Sequence, residues 1–245
     1  MVLLAFMKEV SIMRKVVLFD LDGTLLPMDQ DTFLNSYMTK MAVYMAPYGF
    51  EPKLLGKAMW AGVGAMVMND GSIRNEELFW NVFEKHFDAE KTALAKKVTV
   101  EFYQTEFQKV AADCGYTPES KALIADLKSK GYRVILATNP LFPAIATESR
   151  MRWAGLSPED FEFYTVFENS SFCKPNLKYY EEILEKIGCK AEECIMVGND
   201  VSEDMITEQL GMQVFLLTHS LINKENKDIS VYPNGDFKEL KTFFE

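Results

Sequence analysis

Two carboxylates stand two residues apart in the segment DLDGT, Asp20 and Asp22, where the apolar run VVLFD ends. In extended backbone such residues project to the same side, so both acids can face one point. Paired carboxylates repel, and a site built on them needs a cation. Gly23 lets the chain turn closely around a ligand and present N–H groups to it. The plain role of a D-x-D-G segment is an acidic turn in which Asp caps the next element and Gly takes a positive φ. Taken alone, the motif does not separate the two readings.

Three further groups recur in the same kind of place. Thr138 and Asn139 follow the run RVILAT and offer a hydroxyl and a turn N–H, where a helix cap or an ST-turn before Pro140 is the plain role. Lys174 precedes Pro175 in SFCKPN, and its ammonium is a compact charge suited to a carboxylate or a phosphoryl oxygen. A solvated lysine is the plain alternative. Asp200 and Asp204 follow ECIMVG in NDVSED, where N-capping is the plain role. Acids, hydroxyl, lysine and acids thus appear in order, each just after a strand-like run or at a helix entrance. Their ordered recurrence favours one common site over four coincidences.

The elements that must position these groups are visible as short continuous apolar runs at residues 16–20, 133–138, 193–198 and 213–217. Continuous rather than alternating runs suit strands covered on both faces. Between the later ones lie helical patterns at 118–130, 143–154, 177–187 and 202–210, closed by Gly131, Gly155, Gly188 and Gly211. Strand alternating with helix predicts an α/β fold, a doubly wound parallel sheet of Rossmann-like form. In such sheets ligands bind beyond the carboxyl ends of the strands, which is where the acids fall. The run FEFYTVF at 161–167 would supply one more strand. Residues 27–115 differ: they contain no convincing strand and read as about four helices, broken near 47–52, 69–72 and 88–90. The expected organisation is a catalytic core of residues 1–26 and 116–245 with an all-helical insertion at 27–115.

Composition narrows the function. With 245 residues, 48% of them apolar, the chain can bury a full core and is not a disordered one. Lys and Arg number 26 against 36 Asp and Glu, a net charge of −10 that disfavours nucleic acid and anionic membrane as partners. A small anionic ligand remains compatible with that charge if a metal ion or a few focused cations offset the local field. Cys114, Cys173, Cys189 and Cys194 show no CxxC spacing, and with two histidines a structural zinc site is hard to assemble, so reduced cytoplasmic thiols are expected. The longest uncharged apolar run, residues 58–68, is well short of the ~18 residues of a membrane span. The N-terminus lacks a basic leader and a small-residue cleavage site, so no signal peptide is expected. Met13 opens a compact MRKVVLFD, and the twelve residues before it read as an extension or an early start.

DLDGT, ILATN, CKPN and VGNDVSED resemble, in order, the four motifs of the haloacid dehalogenase superfamily of phosphotransfer enzymes. The likeness spans residues 16–26 and about 117–217, and the helical insertion sits where that family often carries a helical cap of the C1 type. The resemblance implies that Asp20 is the nucleophile that accepts a phosphoryl group and also touches Mg²⁺. Asp22 would protonate the leaving oxygen and then deprotonate the hydrolytic water, with its main-chain carbonyl on the metal. Gly23, Thr138, Asn139 and Lys174 would hold phosphoryl oxygens, and Lys174 would balance their charge. Many relatives place an Asp directly after the glycine of the fourth motif, whereas this chain has Asn199 there and the acid follows as Asp200. The third metal ligand is therefore read as Asp200 first and Asp204 second, with the Asn199 carbonyl oxygen as a further candidate. Mg²⁺ prefers hard oxygen ligands, which suits an all-Asp site.

Asp22 favours phosphoryl chemistry over dehalogenation, because a departing halide needs no proton. The expectation is a cytoplasmic Mg²⁺-dependent phosphatase of a small phosphorylated metabolite. Its alternatives are a sugar-phosphate mutase, a phosphonate hydrolase using a lysine such as Lys40, Lys53 or Lys57, and a non-catalytic metal-binding module. In the insertion, Trp60, Trp80, Phe79, Phe83, Met59 and Met66 suit ordinary helix packing before a substrate pocket. Arg74 is expected as a solvated loop arginine. His86 and His219 are given no role. Arg150 and Arg152 are read as charges that favour the end of their helix.

Overall fold

The computed structural model describes residues 16–245; the twelve residues read as an extension lie outside the described residues. Among the described residues, six strands form one parallel sheet: β1 (Val16–Phe19), β2 (Arg133–Leu136), β3 (Phe163–Tyr164), β4 (Cys194–Gly198), β5 (Gln213–Leu217) and β6 (Asn234–Gly235). Their order is β3-β2-β1-β4-β5-β6. The chain builds outward from β1 on one side, then crosses to β4 on the other. The carboxyl ends of β1 and β4 therefore flank the point where strand order reverses, the crevice of a doubly wound sheet.

Register brings the motif residues to that crevice. Phe19 is level with Leu136 on one side and Val197 on the other. The ladder continues one step further, because the Asp20 N–H donates to Val197 O at 2.9 Å and the Ala137 N–H to Phe19 O at 2.7 Å. The segments carrying Asp20, Thr138 and Asn199 thus leave the sheet side by side.

Both faces of β1 are buried, as its unbroken apolar run requires. Val17 and Phe19 join Leu123 and Leu127 of α5 (Pro118–Ser129) and Leu240 of α8 (Phe237–Phe243) on one face. Val16 and Leu18 join Tyr179, Tyr180 and Ile183 of α7 (Leu177–Ile187) on the other. Three predicted helices appear as α5, α6 (Ala144–Trp153) and α7. The fourth, over 202–210, is instead a turn leading into a 3₁₀ segment, Met205–Leu210. There Asp200 accepts from the N–H groups of Ser202 and Glu203, a side-chain bond that competes with helix start. The strand expected over 161–167 shrinks to β3, and β6 carries no apolar signal that sequence reading could use. Among the described residues no helix is long and apolar enough to cross a membrane.

The segment after β1 folds as α1 (Gln30–Met45), α2 (Pro52–Val67), α3 (Asn75–Phe83) and α4 (Ala89–Gln104), followed by a 3₁₀ stretch over Glu106–Asp113. Asp29, Glu51 and Asp88 cap α1, α2 and α4 by accepting N–H groups of the first turns. Phe102 lies in an aromatic cluster, its ring 6.1 Å from Tyr37, 5.6 Å from Tyr44 and 6.1 Å from Phe107. It is fully buried. Phe102→Ala is expected to lower unfolding free energy by about 3–5 kcal/mol in a urea titration, the cost of a large core cavity.

Candidate active site

Asp20 sits at the tip of β1, 7% exposed. One oxygen accepts from the Lys174 ammonium at 2.8 Å, and the other from the Thr24 hydroxyl at 3.3 Å. The single Thr24 proton is shared with the Asn199 Oδ1, which lies nearer at 3.0 Å. Gly23 is required here on two counts: its φ is +86°, and a side chain would overlap the Asn199 amide. Its N–H, expected to face a ligand, is used inside the turn, donating to Leu26 O at 2.8 Å. Gly23 therefore shapes the loop and does not offer that donor to a phosphate.

Lys174 is 2% exposed and is shared between Asp20 and Asp204, whose Oδ1 lies 2.6 Å from its nitrogen. The other Asp204 oxygen accepts the Asp200 N–H at 3.0 Å. With both oxygens engaged in this way, Asp204 fixes Lys174. The Asn199 side chain is committed too, accepting from Thr24 and donating to Ser220 O at 2.6 Å. Asp200 remains half-buried at the mouth of the crevice, with Oδ1 used by its own turn.

Asp22 is paired with Arg150, a residue the sequence reading left as a helix-end charge. The structure corrects that. Arg150 is 1% exposed, its guanidinium lies 4.4 Å from the Phe142 ring centre, and it donates to Thr147 Oγ1 at 3.2 Å. A helix-end arginine and an active-site arginine look alike in sequence; only the packing of α6 beneath the crevice separates them. Arg74 is also more than a solvated loop charge, since it pairs with Glu182 of α7 at 2.6 Å and with Ser171 at 3.0 Å, tying α3 to the sheet layer.

Thr138 is buried, its carbonyl held by the Thr165 hydroxyl at 2.6 Å and the Tyr179 hydroxyl at 2.8 Å. Asn139 donates to Glu203 at 3.2 Å. Arg150, Thr165 and Tyr179 thus support the site from outside the four motifs, and Thr24 and Glu203 do so from within the first and the fourth, where the sequence reading gave them no role.

The electrostatics are those of acids in excess. Burial pushes the Asp20 carboxyl up to about 7, against the pull of Lys174 and with the help of Asp204 and Asp22. Burial likewise raises Asp22 in spite of Arg150, and raises Asp200 in spite of its two N–H donors. Lys174, which burial alone would lower, is raised well above its ordinary value by the two carboxylates it joins. Four carboxylates (Asp20, Asp22, Asp200, Asp204) meet two cationic side chains (Lys174, Arg150). The acids outnumber the cations, and a divalent cation would offset that excess.

The donor set fits such an ion: every candidate is a hard oxygen, and the buried Asp22 Oδ1 and Asn139 Oδ1 have no hydrogen-bond partner. Among the described residues, no three His, Cys, Asp or Glu side chains stand close enough as they are to share a metal. The reason is visible in the ion pairs: Lys174 lies between Asp20 and Asp204, and Arg150 holds Asp22.

Fold and site together define a doubly wound enzyme core with acids gathered where the strand order reverses. A family model for haloacid dehalogenase-like hydrolases matches residues 14–207, and the chain belongs to that family. The chain is similar to a glyceraldehyde 3-phosphate phosphatase of Methanothermobacter thermautotrophicus, 26% identical over 94% of this chain and 99% of that one. It is also similar to a phosphoglycolate phosphatase of Colwellia psychrerythraea, 23% identical over 89% of this chain and 90% of that one. Among solved structures, a 2-haloacid dehalogenase from Pseudomonas syringae superposes with a TM-score of 0.60 at 17% identity, covering 95% of this chain and 98% of that one. That likeness concerns the fold.

Lys174→Met is expected to leave Asp20 and Asp204 buried without their shared cation and to cost about 3–5 kcal/mol of stability. Urea unfolding at neutral pH measures it. A loss within error of zero would mean that the pair is not buried as described.

Proposed function

We propose that this protein is a Mg²⁺-dependent phosphomonoesterase that hydrolyses a small phosphorylated metabolite through an aspartyl-phosphate on Asp20. The observation that carries this reading is the setting of Asp20: an acid at the tip of the central strand, its oxygens held by Lys174 and Thr24 and its neighbour Asp22 two residues on. The family membership and the two phosphatase relatives support the same chemistry.

Asp20 attacks phosphorus, a P–O bond forms to its carboxylate, and the ester P–O bond breaks. Asp22 gives its proton to the departing alkoxide, so its raised pKa serves the first step. Water then attacks the acyl phosphate while Asp22, now anionic, takes a proton from it. Inorganic phosphate leaves and Asp20 is restored. Lys174 and the Thr138 hydroxyl face the charge that spreads over the equatorial oxygens, the Asn139 N–H completing the cradle. Arg150 holds Asp22 ready and must yield it when the ester oxygen arrives.

Asp20, the Asp22 main-chain carbonyl and Asp200 would hold Mg²⁺. Bound there, the ion neutralises phosphoryl charge and lets two anions approach each other. Residues 27–115 would act as a cap that limits water during transfer. Asp22 distinguishes this reading from dehalogenation, since a halide departs without a proton.

Release of phosphate from p-nitrophenyl phosphate tests the proposal. Turnover is expected with Mg²⁺ and not after chelation, and Asp20→Asn is expected to lower kcat by about 10³-fold or more. Asp22→Asn should slow alkyl esters more than the nitrophenyl ester, whose leaving group needs less protonation. Metal binding without turnover on any ester would point to the non-catalytic module instead.

A further inference from the structure

A cavity of about 470 Å³ lies between α1–α4 and the loop that follows β2. That is ample for a metabolite-sized ligand, for which sites span roughly 300–1,000 Å³. Met41, Met59, Phe79, Trp80 and Phe83 are among its walls, and residues 141–145 form part of its lining directly after Thr138 and Asn139. The same Phe142 that lines it lies against Arg150, whose guanidinium pairs with Asp22. One ring and one guanidinium therefore separate the cavity from the acid that would protonate the leaving group.

The polar groups on its walls are Tyr37, Tyr103, Glu76, Glu168, Lys96 and Thr99, and several of them are already engaged. The Tyr37 and Tyr103 hydroxyls share a hydrogen bond of 2.9 Å. Both Glu168 oxygens accept the Ala144 N–H at 3.0 Å. The Lys96 ammonium lies 5.4 Å from the Trp80 ring centre. Apart from the exposed Glu76 and Lys96, a polar sugar or hydroxy acid would meet mainly methionine and aromatic surface and would lose water in exchange for it. An alkyl or aryl group would gain by burial, and the unbranched methionines adapt to its shape.

We propose that the leaving alcohol of this enzyme's substrate carries an apolar chain or ring that occupies this cavity while its phosphate lies at Asp20. The inference rests on the phosphomonoesterase reading and names the class of ester. It departs from the small polar compounds in the names of the two phosphatase relatives, which would leave most of the space unfilled. The sequence reading of these side chains as ordinary helix packing holds for Met59, Met66, Phe79 and Phe83, which are buried in the core cluster, with Trp80 packed against it; Trp60 is exposed, and all of them but Met66 also border the cavity.

The test is kcat/KM for a straight-chain series from ethyl to decyl phosphate, each below its micelle concentration, beside glyceraldehyde 3-phosphate and phosphoglycolate. The expected result is a rise of about fourfold per methylene until the cavity is filled, the worth of about 0.8 kcal/mol per buried CH₂. Val63→Trp, which narrows the cavity, should end the rise at a shorter chain. Should that variant not fold, alkylphosphonates titrated into the native protein provide a second readout. Trp60 and Trp80 both line the cavity, so their fluorescence should respond more tightly as the chain lengthens. A flat or falling profile, with the polar esters hydrolysed faster, would overturn this inference and leave the phosphomonoesterase reading intact. No phosphate release from any ester, phenyl phosphate included, would overturn both.

Discussion

The Lys174 ammonium lies 2.8 Å from Asp20 and 2.6 Å from Asp204, buried with both of them. Removing three charges from water is costly, and the arrangement persists only because every neighbour is committed to it. Asp204 gives its second oxygen to the Asp200 N–H, which fixes the turn after β4. Gly198 must be glycine, because a methyl there would overlap the Asp204 carboxylate. Tyr179 and Tyr180 pack beneath, their hydroxyls spent on the Thr138 and Glu203 carbonyls at 2.8 Å each. The lysine therefore joins the ends of β1 and β4 to the helix that follows it.

A second ion pair does the corresponding work on the other side of the crevice. Arg150 reaches from α6 to Asp22, while its flat face lies over Phe142. Guanidinium suits this place because it can stack on a ring and keep its edge donors for a carboxylate, which an ammonium cannot do as well. The pair also leaves Arg150 between Asp22 and Phe142, a wall of the cavity beneath α1–α4. Charge at the sheet edge and apolar surface in the insertion thus meet at one side chain.

Much of this was legible in the chain itself. The continuous apolar runs located β1, β2, β4 and β5 to within one or two residues, since a strand buried on both faces leaves no polar position to confuse its limits. Gly131, Gly155, Gly188 and Gly211 marked helix ends correctly, and all four have positive φ. β3 and β6 were blurred or missed because two residues of backbone pairing leave almost no pattern. The residues at the strand tips were found because their types are unusual after apolar runs. Their partners were not, because Arg150, Thr165 and Tyr179 belong to types that occur everywhere, and Thr24, though inside DLDGT, carries no sign in sequence of which groups it bonds.

Local chemistry, then, was determined by sequence alone: which acids, which lysine and which hydroxyl end the strands, and that a helical segment separates the first strand from the rest. Tertiary structure decided the division of labour among them. Asp204 turned toward Lys174, Gly23 used its N–H within its own turn, and Arg150 was carried 128 positions along the chain to Asp22. The physical reason is that a buried charge takes whichever partner packing brings within a few ångströms, and that distance is a property of the folded chain, not of spacing along it.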